Sequence, residues 1–152
     1  MATVTDTLGT RTSLAYSGSS LSTLASGTYV ANTTAYNCTT NKPQDVIVEV
    51  DLATTNSPAS LKQCSIFISE SLDGTNFRSG PTSGTTTTRE GELVLLGVVP
   101  MTTSSVTSIN MFSVRQALGY VPNSFYVIVK NETGVALTSG TVYTAEIATT
   151  VA

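Results

Sequence analysis

Between Asp45 and Leu52 the side chains alternate with a period of two. Val46, Val48, Val50 and Leu52 fall on one face, and Asp45, Ile47, Glu49 and Asp51 on the other. Successive Cβ atoms point to opposite faces of a strand, so this segment reads as a half-buried β-strand. Gln63 to Ser69 reads as a second strand, in which Cys64, Ile66 and Ile68 share a face. Glu92 to Val99 reads as a buried strand apolar on both faces, with Gly97 marking a bulge and Pro100 a stop. Phe125, Val127 and Val129 alternate against Tyr126, Ile128 and Lys130, and Val142 to Ile147 supplies a last strand. Turn chemistry separates these runs at Asn56-Ser57-Pro58, Asp73-Gly74 and Asn131-Glu132-Thr133-Gly134. Val106 to Val114 reads as a further strand although neither parity is cleanly apolar, and Met111 to Leu118 is where a short helical turn fits. Pro81 to Arg89, with four successive threonines, reads as a mobile loop or linker. The expectation is an all-β chain of six to eight short strands, a β-sandwich or a jelly roll.

Composition supports the same class. Ser and Thr make up roughly a third of the 152 residues, while charged residues are only 11% against a usual ~25%. The branched Cβ of Thr fits a pleated surface. With 40% hydrophobic residues and a mean hydropathy of +0.17, the chain is not disordered. A domain of this length buries roughly 70% of its extended-chain surface without metal or disulfide.

The first 42 residues differ from the rest. They hold single, widely spaced apolar residues, Leu8, Leu14, Tyr16, Leu21, Leu24 and Tyr29, among Thr, Ser, Gly and Asn. Leu14 to Tyr16 and Thr28 to Val30 are candidate short strands. The remainder reads as a frayed terminus or as an extended arm whose Leu and Tyr anchors dock on a neighbouring subunit. This divides the chain into an assembly segment, 1–42, and a β-sandwich domain, 43–152.

Chemistry is restricted by what the chain lacks. With no histidine, Ser-His-Asp and Cys-His nucleophile systems and the commonest zinc ligand are absent. Glu49 and Asp51 form the best carboxylate pair for glycoside cleavage, but no aromatic platform adjoins them in sequence, and a solvated strand face is the simpler reading. Asp73-Gly74-Thr75-Asn76 has too few carboxylates for calcium. Tyr120, Tyr126 and Tyr143 lie among apolar residues and read as core or interface rather than as a sugar platform. The expectation is a non-enzymatic protein without a cofactor. A net charge of -3 and seven scattered basic residues do not suit nucleic acid. The longest apolar run, Leu93 to Pro100, is far below the ~20 residues of a membrane span. Met1 is followed by Ala2-Thr3-Val4-Thr5-Asp6, without the basic start and apolar core of a secretory signal, so folding in a cytosol is expected. Cys38 and Cys64 are expected as free thiols, with Cys64 buried.

Two segments carry a resemblance. Ser69-Glu70-Ser71-Leu72-Asp73-Gly74-Thr75-Asn76-Phe77 resembles the S-x-D-G-x-x-F hairpin of small β-sandwich structural proteins of tailed bacteriophages. Leu118-Gly119-Tyr120-Val121-Pro122, the strand Phe125 to Lys130 and the turn that follows are similar to the closing half of those proteins, which are capsid decoration (cement) or related virion components. The resemblance covers roughly 62–152 and leaves the first segment aside. It implies a jelly-roll-like homo-oligomer, often a trimer, bound to the major capsid protein or other virion proteins. The protein would be assembled in the host cytoplasm and located in the virion. A tail or fibre component and a carbohydrate-binding β-sandwich module are the other classes compatible with these residues.

Overall fold

The computed structural model describes residues 3–17 and 21–151. Its elements in chain order are β1 (Val4–Leu8), β2 (Thr12–Ser13), β3 (Tyr29–Ala31), β4 (Tyr36–Asn37), β5 (Asp45–Ala53), β6 (Gln63–Ser71), β7 (Ser83–Gly84), β8 (Val94–Pro100), β9 (Ser108–Ser113), the helix α1 (Val114–Leu118), β10 (Ser124–Asn131) and β11 (Ser139–Val151). All strand pairs are antiparallel and form two sheets. The first has the order β1-β11-β5-β9, with β2 also on β11; the second has the order β7-β3-β10-β6-β8, with β4 also on β10. The architecture is β-sandwich-like, and the two sheets enclose one core.

The alternation of β5 places Val46, Val48, Val50 and Leu52 fully inside, facing Ile66, Ile68, Phe125, Val127 and Val129 of the second sheet. Full burial of such side chains contributes about 1.5–3 kcal/mol each. The bulge expected at Gly97 is present: Ile66 pairs with Gly97 and Phe67 with Leu95, which leaves Leu96 as the extra residue. Asp73-Gly74 forms the expected turn, with Gly74 at φ 78°. The helical turn expected over Met111 to Leu118 is α1. Ser113 caps it by accepting from Gln116 N at 2.9 Å, and Gly119 ends it in the left-handed region.

A smaller apolar cluster lies on the outer face of the second sheet, where Tyr29, Phe67 and Ile128 pack with Leu93. The Thr-rich segment read as a loop or linker crosses this face. It contributes β7, which pairs with β3, and leads directly into a 3-10 turn at Glu90–Glu92. Glu90 there binds Lys130 at 2.6 Å and accepts from the Tyr29 hydroxyl. The segment is therefore part of the sandwich.

The segment before residue 42 also departs from expectation. Residues 1, 2, 18–20 and 152 lie outside those described. Of the rest, Leu21, Leu24 and Tyr29 are buried within the chain's own fold, and β3 and β4 are strands of the second sheet. Asn131 explains the capture physically. Fully buried, it donates from Nδ2 to Leu24 O and Val135 O at 2.8 Å each. Its main chain receives a bond from Gly27 N at 2.6 Å and gives one to Thr28 O at 3.0 Å. A single extended arm to residue 42 is thus not what the chain forms; residues 21–42 complete the sandwich. No helix among the described residues is long and apolar enough to cross a membrane.

Candidate assembly surface

The two lateral sides of the sandwich are built differently. On one, short interrupted strands bring the sheets together. After β2, Tyr16 pairs with Asn32 and Thr33 N donates to Ala15 O at 2.8 Å, so the chain edging the first sheet joins the second. Asn32 interrupts β3 and β4 while its side-chain Oδ1 accepts from Val127 N at 2.7 Å, replacing a ladder bond. The Tyr16 hydroxyl donates to Val127 O at 3.1 Å, and burial pushes its pKa up. Edges so short and bent offer little to a foreign strand.

The opposite side is open. β8 pairs only with β6 and β9 only with β5 among the described residues, so each presents one unpaired edge. From Leu93 to Val114, a span that includes both edge strands, there is no charged residue. Leu95, Val98, Val106, Ile109 and Met111 are exposed, the last at 64%. Natural proteins ordinarily guard a sheet edge with Lys, Pro, inward charges or a covering element. Here Pro100 and the Gly97 bulge interrupt the β8 edge, and the short helix α1 packs beside part of it. Between the strands and α1 lies a cleft of about 380 Å³, lined by Leu95, Leu96, Gly97, Met111, Phe112 and Ala117 among others.

The mixed pattern of β9 follows from this position. Its register on β5 pairs Met111 with Glu49 and Ile109 with Asp51, so both apolar residues stand on the outer face. Ser108, Asn110 and Phe112 face inward at the rim of the sandwich, where Phe112 reaches the core. The strand is apolar outward and partly polar inward, the reverse of a solvated edge. Glu92 to Val99 is likewise not buried on both faces, since Leu95 and Val98 emerge at this edge.

The apolar surface continues across the first sheet. Leu8, Ile47, Met111, Tyr143 and Ala145 line a hollow of about 130 Å³ beside Arg11 and Glu49. Arg11 binds Glu49 and, at 3.0 Å, Asp51, with its guanidinium 3.3 Å from the centroid of the Tyr143 ring. Burial and the neighbouring Glu49 carboxylate hold the Asp51 carboxyl above its ordinary value, and Asp51 Oδ1 has no hydrogen-bond partner among the described residues. The carboxylate pair singled out from the sequence is therefore spanned by an arginine on a sheet face.

Of the six expected anchors, Leu8 alone is freely exposed, at 65%. Leu14 and Tyr16 are partly buried against the core, and Leu21, Leu24 and Tyr29 are interior. Leu95, Val98, Ile109 and Met111 were not singled out from the sequence. The signal that marks them is the charge-free span, which strand periodicity does not register. Both thiols are free and buried, and burial raises each to about 12. Among the described residues no group of three or more Cys, Asp or Glu is placed to hold a metal ion. No protein-family model and no curated protein matches the chain.

Proposed function

We propose that the chain is a virion structural protein of the capsid-decoration type, which works by docking the uncharged open side of its sandwich onto neighbouring subunits and the shell. The observation that carries this reading is that two unpaired, uncharged strand edges and five exposed apolar side chains coincide on one side. Unpaired N–H and C=O groups supply main-chain bonds to an added strand, and the apolar side chains supply area at about 25 cal/mol per Å².

The strand order supports the jelly-roll part of the reading. Joining β1 to β2 and β3 to β4 across their interruptions, and leaving out the two-residue β7, gives eight strands. Numbered one to eight along the chain, they run 1-8-3-6 in one sheet and 2-7-4-5 in the other. That order is compatible with the double Greek key of jelly rolls, a fold used by viral capsid and lectin domains. The hairpin behind the phage resemblance is also well built: Asp73 Oδ1 accepts from Thr75 N at 2.8 Å and Asn76 N at 2.7 Å.

The test mixes purified chain with shells of the major capsid protein of the same virion. Wild type is expected to form a homo-oligomer, a trimer by the resemblance, and to saturate the shells. Ile109→Asp with Met111→Asp should melt at the wild-type temperature yet lose more than roughly tenfold in affinity. Undiminished shell binding by that double variant overturns the proposal.

A further inference from the structure

A second cleft, of about 410 Å³, opens where β6 runs into the Leu72–Arg78 turn beside the connection from α1 to β10. That volume lies within the roughly 300–1,000 Å³ of small-molecule sites. Glu70, Leu72, Asn76, Phe77, Arg78 and Tyr120 line it. Tyr120 is not in the core but 40% exposed. It forms a ridge, because a further groove of about 370 Å³ containing Gln44 and Arg115 lies against it as well.

Glu70 is the anomalous residue. It is 5% exposed, on a strand register opposite Phe125. Its Oε1 accepts from Arg78 Nε and, at 3.3 Å, from the Tyr120 hydroxyl. Its Oε2 is buried with no hydrogen-bond partner among the described residues. Leaving a carboxylate oxygen desolvated and unpaired costs more than an apolar residue would, so stability alone does not account for it. Arg78 keeps its terminal nitrogens near solvent, its side chain being 47% exposed. Asn76 Nδ2 is committed to Asp73 Oδ2 at 2.6 Å, which leaves the Asn76 carbonyl oxygen as an acceptor. The Asp73 carboxylate is taken up by its own turn.

We infer that this cleft binds a neutral saccharide, with the Tyr120 ring as the platform for a sugar face and Glu70, Asn76 and Arg78 as hydroxyl partners. The charges select the class. Arg78 balances Glu70, and Asp73 adds a further carboxylate, so a phosphate, sulfate or sialate meets net negative charge. A ligand amine finds the Glu70 carboxylate already paired with Arg78 and the Asp73 oxygens already accepting from their own turn. A sugar offers hydroxyls that both donate and accept, together with apolar C–H faces, which fits one acidic, one basic, one amide and one aromatic group around a single cleft. The residues differ from those of the open side, so this binding and assembly are separable.

The experiment titrates full-length protein with glucose, galactose, mannose, N-acetylglucosamine and their β-linked dimers, read by saturation-transfer NMR and tyrosine fluorescence. At least one neutral saccharide should bind. Tyr120→Ala and Arg78→Gln should each weaken it by roughly tenfold or more, while Tyr120→Phe, which keeps the ring, stays within about threefold. Ile109→Asp with Met111→Asp should leave the affinity unchanged. The inference is overturned if no member of the panel binds, if a folded Tyr120→Ala or Arg78→Gln binds as wild type does, or if only sialylated, sulfated or amine probes bind.

Discussion

The ring of Phe112 on β9 lies against the bare Cα of Gly97 on β8, and a Cβ placed on Gly97 would stand 2.5 Å from Phe112 Cδ1. These residues belong to different sheets, and their contact is where the two open edges touch. Gly97 therefore serves two ends: it takes part in the bulge of β8, and it lets an aromatic ring close the rim of the sandwich.

Gly97→Ala is accordingly expected to displace the Phe112 ring and cost about 1–3 kcal/mol, the usual range for overpacking. Urea denaturation checks this through the midpoint, with the m-value unchanged. A midpoint equal to wild type would mean that the ring moves aside freely. Phe112→Leu in the Gly97→Ala background should recover part of the loss, because the smaller side chain makes room for the methyl group.

Asp73 supplies a pH-dependent term. Bonds from Asn76 N, Thr75 N, the Asn76 amide and the Ser71 hydroxyl hold its carboxyl well below the usual carboxylate range. A depressed native value means that the unfolded chain binds more protons as pH falls, so this stabilisation is complete above the unfolded value of about 3.9 and is lost as pH drops toward the native one. Wild type should melt above Asp73→Ala at pH 7, and the gap should narrow by about pH 2.5. Asp51, whose native value is raised, is common to both proteins and cancels in the difference. A gap constant across that range would refute the assignment.

Cys38 and Cys64 are both interior, and burial raises each thiol to about 12. Thiolate is the reacting species, so iodoacetamide at pH 8 should leave both unmodified in the native protein. Both should label once the chain is unfolded in guanidinium, without reductant. A requirement for reductant before labelling would reveal a disulfide.

The strands legible in the sequence are those buried on a single face by their own alternation. β5 is the clearest, because Val46, Val48, Val50 and Leu52 all meet the core. β9 was obscure because its outward residues Ile109 and Met111 are apolar while Ser108 and Asn110 face the rim; alternation signals burial only where the other face is solvated. That Tyr120 stands outside the core is illegible for a related reason, since flanking apolar residues say nothing about which side of a turn a ring occupies. The segment after residue 20 was illegible for a different cause. Its anchors are single residues whose partners lie far along the chain: Leu24 O is held by Asn131, and the kink at Asn32 is bridged to Val127. No local pattern encodes such contacts.

That non-local capture yields the most discriminating prediction. Leu21 packs so closely on Gly140 that a Cβ there would lie 2.7 Å from Leu21 Cγ, and Leu24 is 6% exposed in the same core. Truncating a buried leucine to alanine costs about 2–5 kcal/mol, while a domain of this kind is stable by about 5–15 kcal/mol in all. Leu21→Ala or Leu24→Ala should each lower the denaturation midpoint by an amount in that range. Deleting residues 1–42 removes both leucines together with β3 and β4, and it leaves the Asn131 amide without its Leu24 acceptor. The truncated chain should show no cooperative thermal transition by circular dichroism. Deleting residues 1–8, by contrast, takes away β1, whose five residues are all exposed, and should lower the midpoint only slightly. A sigmoidal melt from the 43–152 fragment would mean that the sandwich closes without its first strands, and that the preceding segment is an appendage after all.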